Sequence, residues 1–177
     1  MSNSTREGER ILGALLSADG KGVVRMHERV DSDIEVVWSA LTEPGRLARW
    51  LGEVEGDLRL GGELRAHFVA SGWRGTGRVE GCEPPRRLLV LTKDADEPAA
   101  AAYGHAIEVT LTADADGTAV VWEERGMPLD LLAPYAAGIQ VHVEDLASYL
   151  AGGGRCDADA RFEELLLAYR EPAERVS

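Results

Sequence analysis

Apolar positions along this chain change period twice. From Val23 to Val30 the residues alternate: Val24, Met26 and Val30 share one face, Glu28 lies on that same face, and the β-branched content favours a strand. Ahead of it, Ile11, Leu12, Leu15 and Leu16 fit either a first strand or a short helix. Asp19-Gly20 and then Gly22 supply turn chemistry, so a hairpin is the reading for this segment. The period then lengthens. Asp31-Ser32-Asp33 offers a helix N-cap, and Ile34, Val37, Trp38 and Leu41 recur at helical spacing. Pro44 ends this helix or opens the next, whose apolar face is Leu47, Trp50 and Leu51; Trp38 and Trp50 are read as core residues.

Alternation returns between Gly52 and Arg125. Leu64, Ala66 and Phe68 alternate with Arg65 and His67, and Trp73, Gly75, Gly77 and Val79 with Arg74, Thr76 and Arg78. Pro84-Pro85 precedes a strand from Leu88 to Thr92. A polar, alanine-rich loop covers Lys93 to Gly104. Ile107, Val109 and Leu111 then alternate with polar residues, Asp116-Gly117 marks a hairpin turn, and Val120, Trp122 and Glu124 share a face. Short connections predict an antiparallel, meandering sheet. After a lead-in over 126–134, Ile139, Val143, Leu146 and Leu150 form a helical stripe within Tyr135 to Leu150, with His142 and Tyr149 beside it, and Gly152-Gly153-Gly154 stops the helix. A last short helix, docked on the surface, is expected from Phe162, Leu165, Leu166 and Tyr169. The fold class is therefore α+β.

The chain has 177 residues, enough for one domain without staples. Its net charge of −12 would repel a phosphate backbone or an anionic bilayer, so neither nucleic acid nor membrane is an expected partner. No apolar run reaches the ~20 residues of a membrane span. The N-terminus carries charges where a signal peptide needs its apolar stretch, which points to a cytoplasmic protein. In that setting Cys82 and Cys156 are free thiols, and the sequon Asn3-Ser4-Thr5 is a chance match.

No zinc motif, P-loop, dinucleotide fingerprint or nucleophile elbow is present, and the four histidines fall on separate elements, so no metal and no cofactor is expected. What the pattern offers is space. A curved sheet around one helix leaves room unless large side chains fill it, and Ala136-Ala137-Gly138, Gly75 and Gly77 are small. A pocket would be lined by Met26, Leu64, Phe68, Trp73, Val90, Val109 and Trp122, with Ile139 from the helix. The competing arrangement is a filled core in which the glycines only let the sheet bend. Strand parity places Glu28, Glu124 and His105 on the same faces, where a carboxylate against an apolar cavity would have a raised pKa and could act as acid, base or polar anchor. Otherwise each sits at a strand end, solvated or paired with Arg25, Arg29 or Arg125.

Four segments carry a family resemblance: VWSALTEPGRLARWL from Val37, DLRLGGEL from Asp57, GTGRVEGCEPPRRLLVLT from Gly75 and IQVHVEDLASYL from Ile139. Trp38, Thr42, Pro44 and Trp50, the paired glycines, and the Pro-Pro before a strand stand in the family pattern. The chain resembles the START-like (SRPBCC) superfamily, typified by the birch-pollen allergens, and within it the bacterial relatives of the heat-shock-protein-90 ATPase activator domain. The resemblance implies a helix-grip fold: a curved antiparallel sheet wrapped around a long C-terminal helix, two short helices after the first family strand, and a cavity between sheet and helix. Residues 23–152 form that domain, residues 1–22 an N-terminal extension with a candidate extra strand, and residues 153–177 a tail with a short docking helix. Such additions could cover a sheet edge or mediate a homodimer. Thr92 stands where many relatives have Trp, a change that would enlarge or polarise the cavity.

Fold does not select among the activities that the family spans. The first reading is a binding protein for a small, largely hydrophobic ligand. The second is a cyclase or aromatase of polyketides using Glu28, Glu124 or His105. The third is a regulator of a chaperone ATPase.

Overall fold

The computed structural model describes residues 12–176; Ile11 and the sequon at 3–5 lie outside the described residues. The elements in chain order are β1 (Ala14–Ala18), β2 (Lys21–Val30), α1 (Ile34–Thr42), α2 (Pro44–Trp50), β3 (Gly52–Gly56), β4 (Glu63–Phe68), β5 (Arg74–Glu83), β6 (Arg87–Asp94), β7 (His105–Asp114), β8 (Gly117–Met127), α3 (Leu132–Leu150) and α4 (Ala158–Glu174). All eight strands join one antiparallel sheet in the order β1-β2-β8-β7-β6-β5-β4-β3. From β3 to β8 the chain meanders. Between β2 and β3 it crosses from one side of the sheet to the other, and α1 and α2 occupy that crossing. The sheet curves around α3, which is the helix-grip arrangement.

The first hairpin closes on two residues. Asp19 and Gly20 both adopt positive φ, 53° and 77°, as a tight turn between right-twisted strands demands. The N-terminal ambiguity thus resolves as a strand. Pro44 opens α2 at its first turn, where its missing N–H costs nothing.

Two boundaries differ from the sequence reading. Helix α3 begins at Leu132 rather than Tyr135, because Pro134 is tolerated in a first turn. Helix α4 is not short: it runs for 17 residues. Asp157 caps it, its Oδ1 accepting from the Ala160 N–H at 3.2 Å, and the apolar side buries Leu165 and Tyr169 against α3. Arg161 fixes its start through Nε and Nη2 on Glu144 of α3, at 2.8 and 2.7 Å. Tyr169 then ties the two terminal additions together. Its hydroxyl accepts from the Gly13 N–H at 2.6 Å and donates to Gln140 Oε1 of α3.

Beneath one part of the sheet the core is solid. Trp50 is fully enclosed; its Nε1 donates to the Ala40 carbonyl at 3.0 Å, and its ring meets Trp122 edge-on at 6.1 Å. Val37, Leu41, Leu47, Val109, Leu111 and Val120 complete that region. On the opposite, outer face of the sheet the arginines pair with acids. Arg25 and Arg125 bind Glu123, and Arg125 and Arg87 bind Glu108, all at 2.6–2.9 Å. Arg25 and Arg125 therefore do not neutralise Glu124. No helix among the described residues is long and apolar enough to cross a membrane.

Candidate functional site

A cavity of about 910 Å³ lies between the sheet and the N-terminal half of α3. Strands β4, β6, β7 and β8 supply Phe68, Thr92, His105, Ile107 and Glu124. The β4–β5 turn supplies Trp73. Helix α3 supplies Tyr135, Gly138, Ile139 and His142, and the first turns of α4 supply Ala158 and Phe162.

Local packing explains why this space stays empty. A Cβ on Gly138 would meet nothing within 4 Å, so glycine leaves an open notch in the helix. Gly75 has the reverse role. A Cβ there would lie 2.1 Å from the Trp73 ring, so only glycine lets that indole fold over β5. Trp73 is then held by its Nε1, which donates to Asp94 Oδ1 at 2.7 Å, and it packs on Phe68 with ring centroids 4.8 Å apart. Phe68 in turn meets His142 edge-on at 5.3 Å. Three rings thus run from the turn to the helix.

A second polar and aromatic group lies on β7, β8 and α3. His105 Nε2 is 2.6 Å from Glu124 Oε1, and the Trp122 indole N–H donates to Glu124 Oε2 at 2.9 Å. The His105 ring stacks on Tyr135 at 5.8 Å. Burial raises the Tyr135 pKa above its ordinary 10.0, and the nearby acids Asp94, Glu124 and Glu97 act in the same direction, so the phenol is neutral at pH 7. Burial likewise drives His142 below its ordinary 6.5, and the fields of Glu124 and Asp145 do not reverse the shift. Lys93, also at the cavity, is saturated: its Nζ donates to the carbonyls of Pro98, Ala99 and Ala101 at 2.8–3.2 Å and lies over Tyr103.

Of the residues expected at a pocket, Phe68, Trp73, His105, Glu124 and Ile139 line this cavity. Met26, Glu28, Leu64, Val90, Val109 and Trp122 do not. Met26, Trp122 and Val109 are register partners across three strands, and that rung lies in the solid core beside Trp50. Trp122 instead supports Glu124 from behind. The space left by Gly77 is taken by Leu64 and Val90, whose methyls lie 3.1 and 3.0 Å from where its Cβ would be. The Sδ of Met26 faces the Tyr169 hydroxyl at 3.8 Å. Glu28 is half-buried on β2, its Oε1 accepting from the Arg29 N–H at 3.1 Å; burial raises its pKa, and Glu144 adds to the rise. Residue parity was correct for these positions, but the level along the strand put them outside the hollow. Tyr135 and His142 line the cavity as well and are not among the expected pocket residues. With Gly138 they stand at i, i+3 and i+7, one helical face, so their spacing carried a usable signal.

Comparison with known proteins agrees with this architecture. The crystal structure of CalU16 from Micromonospora echinospora superposes with a TM-score of 0.72 at 24% identity, covering 92% of this chain and 96% of that one. EF2215 of Enterococcus faecalis, a conserved protein of unknown function, gives 0.67 at 17% identity, covering 90% of this chain and 91% of its own. DynU16, from the dynemicin biosynthetic locus, gives 0.66 at 28% identity over 76% of this chain, and the match spans 50% of DynU16. No curated protein matches the sequence. The family model described as Activator of Hsp90 ATPase homolog 1-like protein matches residues 31–151, from the residue after β2 to just beyond α3, and the chain belongs to that family.

Proposed function

We propose that the protein binds a small, largely hydrophobic molecule between the sheet and α3. The cavity of about 910 Å³ carries this reading, because it has the size and the mainly apolar lining of small-molecule sites. The likeness to DynU16, from a biosynthetic locus, supports drawing probes from biosynthetic metabolites. Native mass spectrometry of protein purified from its own host tests the reading, together with a thermal-shift screen of lipids, aromatic polyketides and phenolics. A retained adduct, or a stabilising compound whose effect disappears in Gly138→Leu, is the expected result. No adduct and no stabilisation by any class would overturn it.

One observation favours a second reading, an enzyme of the cyclase or aromatase kind. A carboxylate oxygen 2.6 Å from His105 Nε2 accepts that ring N–H, which leaves Nδ1 as the lone-pair nitrogen of a base beside the cavity. In this reading Glu124 orients His105, Trp122 orients Glu124, and the ring walls mould the substrate. Turnover would then fall at least about 100-fold in His105→Ala, while probe binding changes little. Equal turnover in variant and parent removes His105 from this role, and no product from any candidate excludes the enzyme reading and leaves the binding one.

A further inference from the structure

His142 lines the cavity and carries an enclosed side-chain nitrogen that has no partner in the protein. The residue is 5% exposed, and the nitrogen is Nε2. The other enclosed side-chain atoms without a partner among the described residues belong to Thr76, Arg78 and Asp145, none of which lines the cavity. Several other polar groups of the wall already have partners. Both oxygens of Glu124 are taken by His105 and Trp122, the Trp73 N–H by Asp94, and the Lys93 ammonium by three carbonyls. A buried polar atom with no partner is costly, and a guest that supplies the partner recovers that cost on binding.

The chemistry of that partner can be narrowed. A neutral imidazole holds one N–H and one lone pair, and a hydroxyl can serve either, as acceptor or donor. A carboxylate guest would be repelled by the Glu124 carboxylate and by a chain of net charge −12. An ammonium guest would have to shed its water against the Phe68 ring and Ile139 beside His142, which is costly. The neighbours of His142 are the Phe68 ring and Ile139, which suit an apolar body. Resting on the binding reading above, we infer that His142 selects the guest: an uncharged hydroxyl on a ring-shaped, otherwise apolar molecule hydrogen-bonds to its imidazole.

Matched probes test this with the full chain. In each pair only a hydroxyl is exchanged for a methyl: 2-naphthol against 2-methylnaphthalene, and 9-phenanthrol against 9-methylphenanthrene. Dissociation constants are read from quenching of Trp73 and the other tryptophans. The parent should bind the hydroxyl member about 5- to 10-fold more tightly, and His142→Phe should bind both members of a pair within about 2-fold. A second readout needs no variant. The imidazole ¹⁵N signals of His142 should shift on adding 2-naphthol and stay in place with 2-methylnaphthalene. Equal binding of both members by the parent, a preference that survives in His142→Phe, or a silent His142 signal overturns the hydroxyl anchor while leaving the binding reading intact. Failure of every frame, matched or not, to bind at all removes the binding reading and the anchor with it.

Discussion

The two ends of the clasp around α3 are built from similar residues and end differently. Near β8's Trp122, the rings of Trp50 and Trp122 are locked edge-on and surrounded by aliphatic side chains. Near β8's Glu124, the rings of Phe68, Trp73, His105 and Tyr135 border open space. Only two residues of β8 separate the regimes. What differs is the supply of helix. Helices α1 and α2 come under the sheet on the Trp50 side and deliver Val37, Leu41 and Leu47. On the other side α3 presents Gly138, and α4 contributes only its first turns. Aromatic content alone does not close a core; an additional layer must arrive to fill it.

Removing the filler from the solid end should have the largest effect. Trp50→Ala deletes a fully enclosed indole and its bond to Ala40, and should cost about 3–5 kcal/mol in urea denaturation. Tyr169→Phe comes next. It removes the acceptor of the Gly13 N–H and the donor to Gln140, and should cost about 1–3 kcal/mol. Amide hydrogen exchange should accelerate around Gly13 and in β1 before it does in β6 and β7. In the hollow end the sign reverses. Gly138→Ala should stabilise the chain by about 0.5–1 kcal/mol, since the notch has room and a helix interior disfavours glycine. Gly138→Leu should keep a near-parental melting temperature while weakening every probe that the cavity takes.

The smallest effect is on pH dependence. Burial holds the His142 pKa below its ordinary 6.5, so the unfolded chain binds this proton more readily than the folded one. Stability from this residue is complete above about pH 6.5 and declines as the pH falls below it. Glu28 works the other way, since its raised pKa makes the folded form the better proton acceptor. Comparing urea midpoints of the parent and His142→Phe at pH 7.5 and 5.5 isolates the histidine. The parent should lose more stability on acidification than the variant, and identical changes would show that His142 does not titrate differently on folding.

Much of the frame was legible in the sequence because it depends on local period. Alternation identified the strands, and Asp19-Gly20 fixed the first turn. Pro44 and the triple glycine marked helix limits, and the quoted motifs gave the superfamily. Parity also placed Glu124 and His105 on the inner face. Parity repeats every two residues, however, and cannot tell Trp122 from Glu124, one rung apart on the same face. That distinction needs the position of α1 and α2, which is a tertiary fact. For the same reason Leu64 and Val90 were assigned to a space that their own methyls fill beside Gly77. The length of α4 exceeds the sequence reading because its outer surface is mostly polar apart from the exposed Leu167, and only Leu165 and Tyr169 are buried within it.

The contact of Tyr169 with Gly13 and Gln140 joins two regions that flank residues 31–151. Phe162, in the same helix, forms part of the cavity wall. Proteolysis in the 151–157 connection would therefore unbutton the amino-terminal strand and unroof one side of the chamber in a single event.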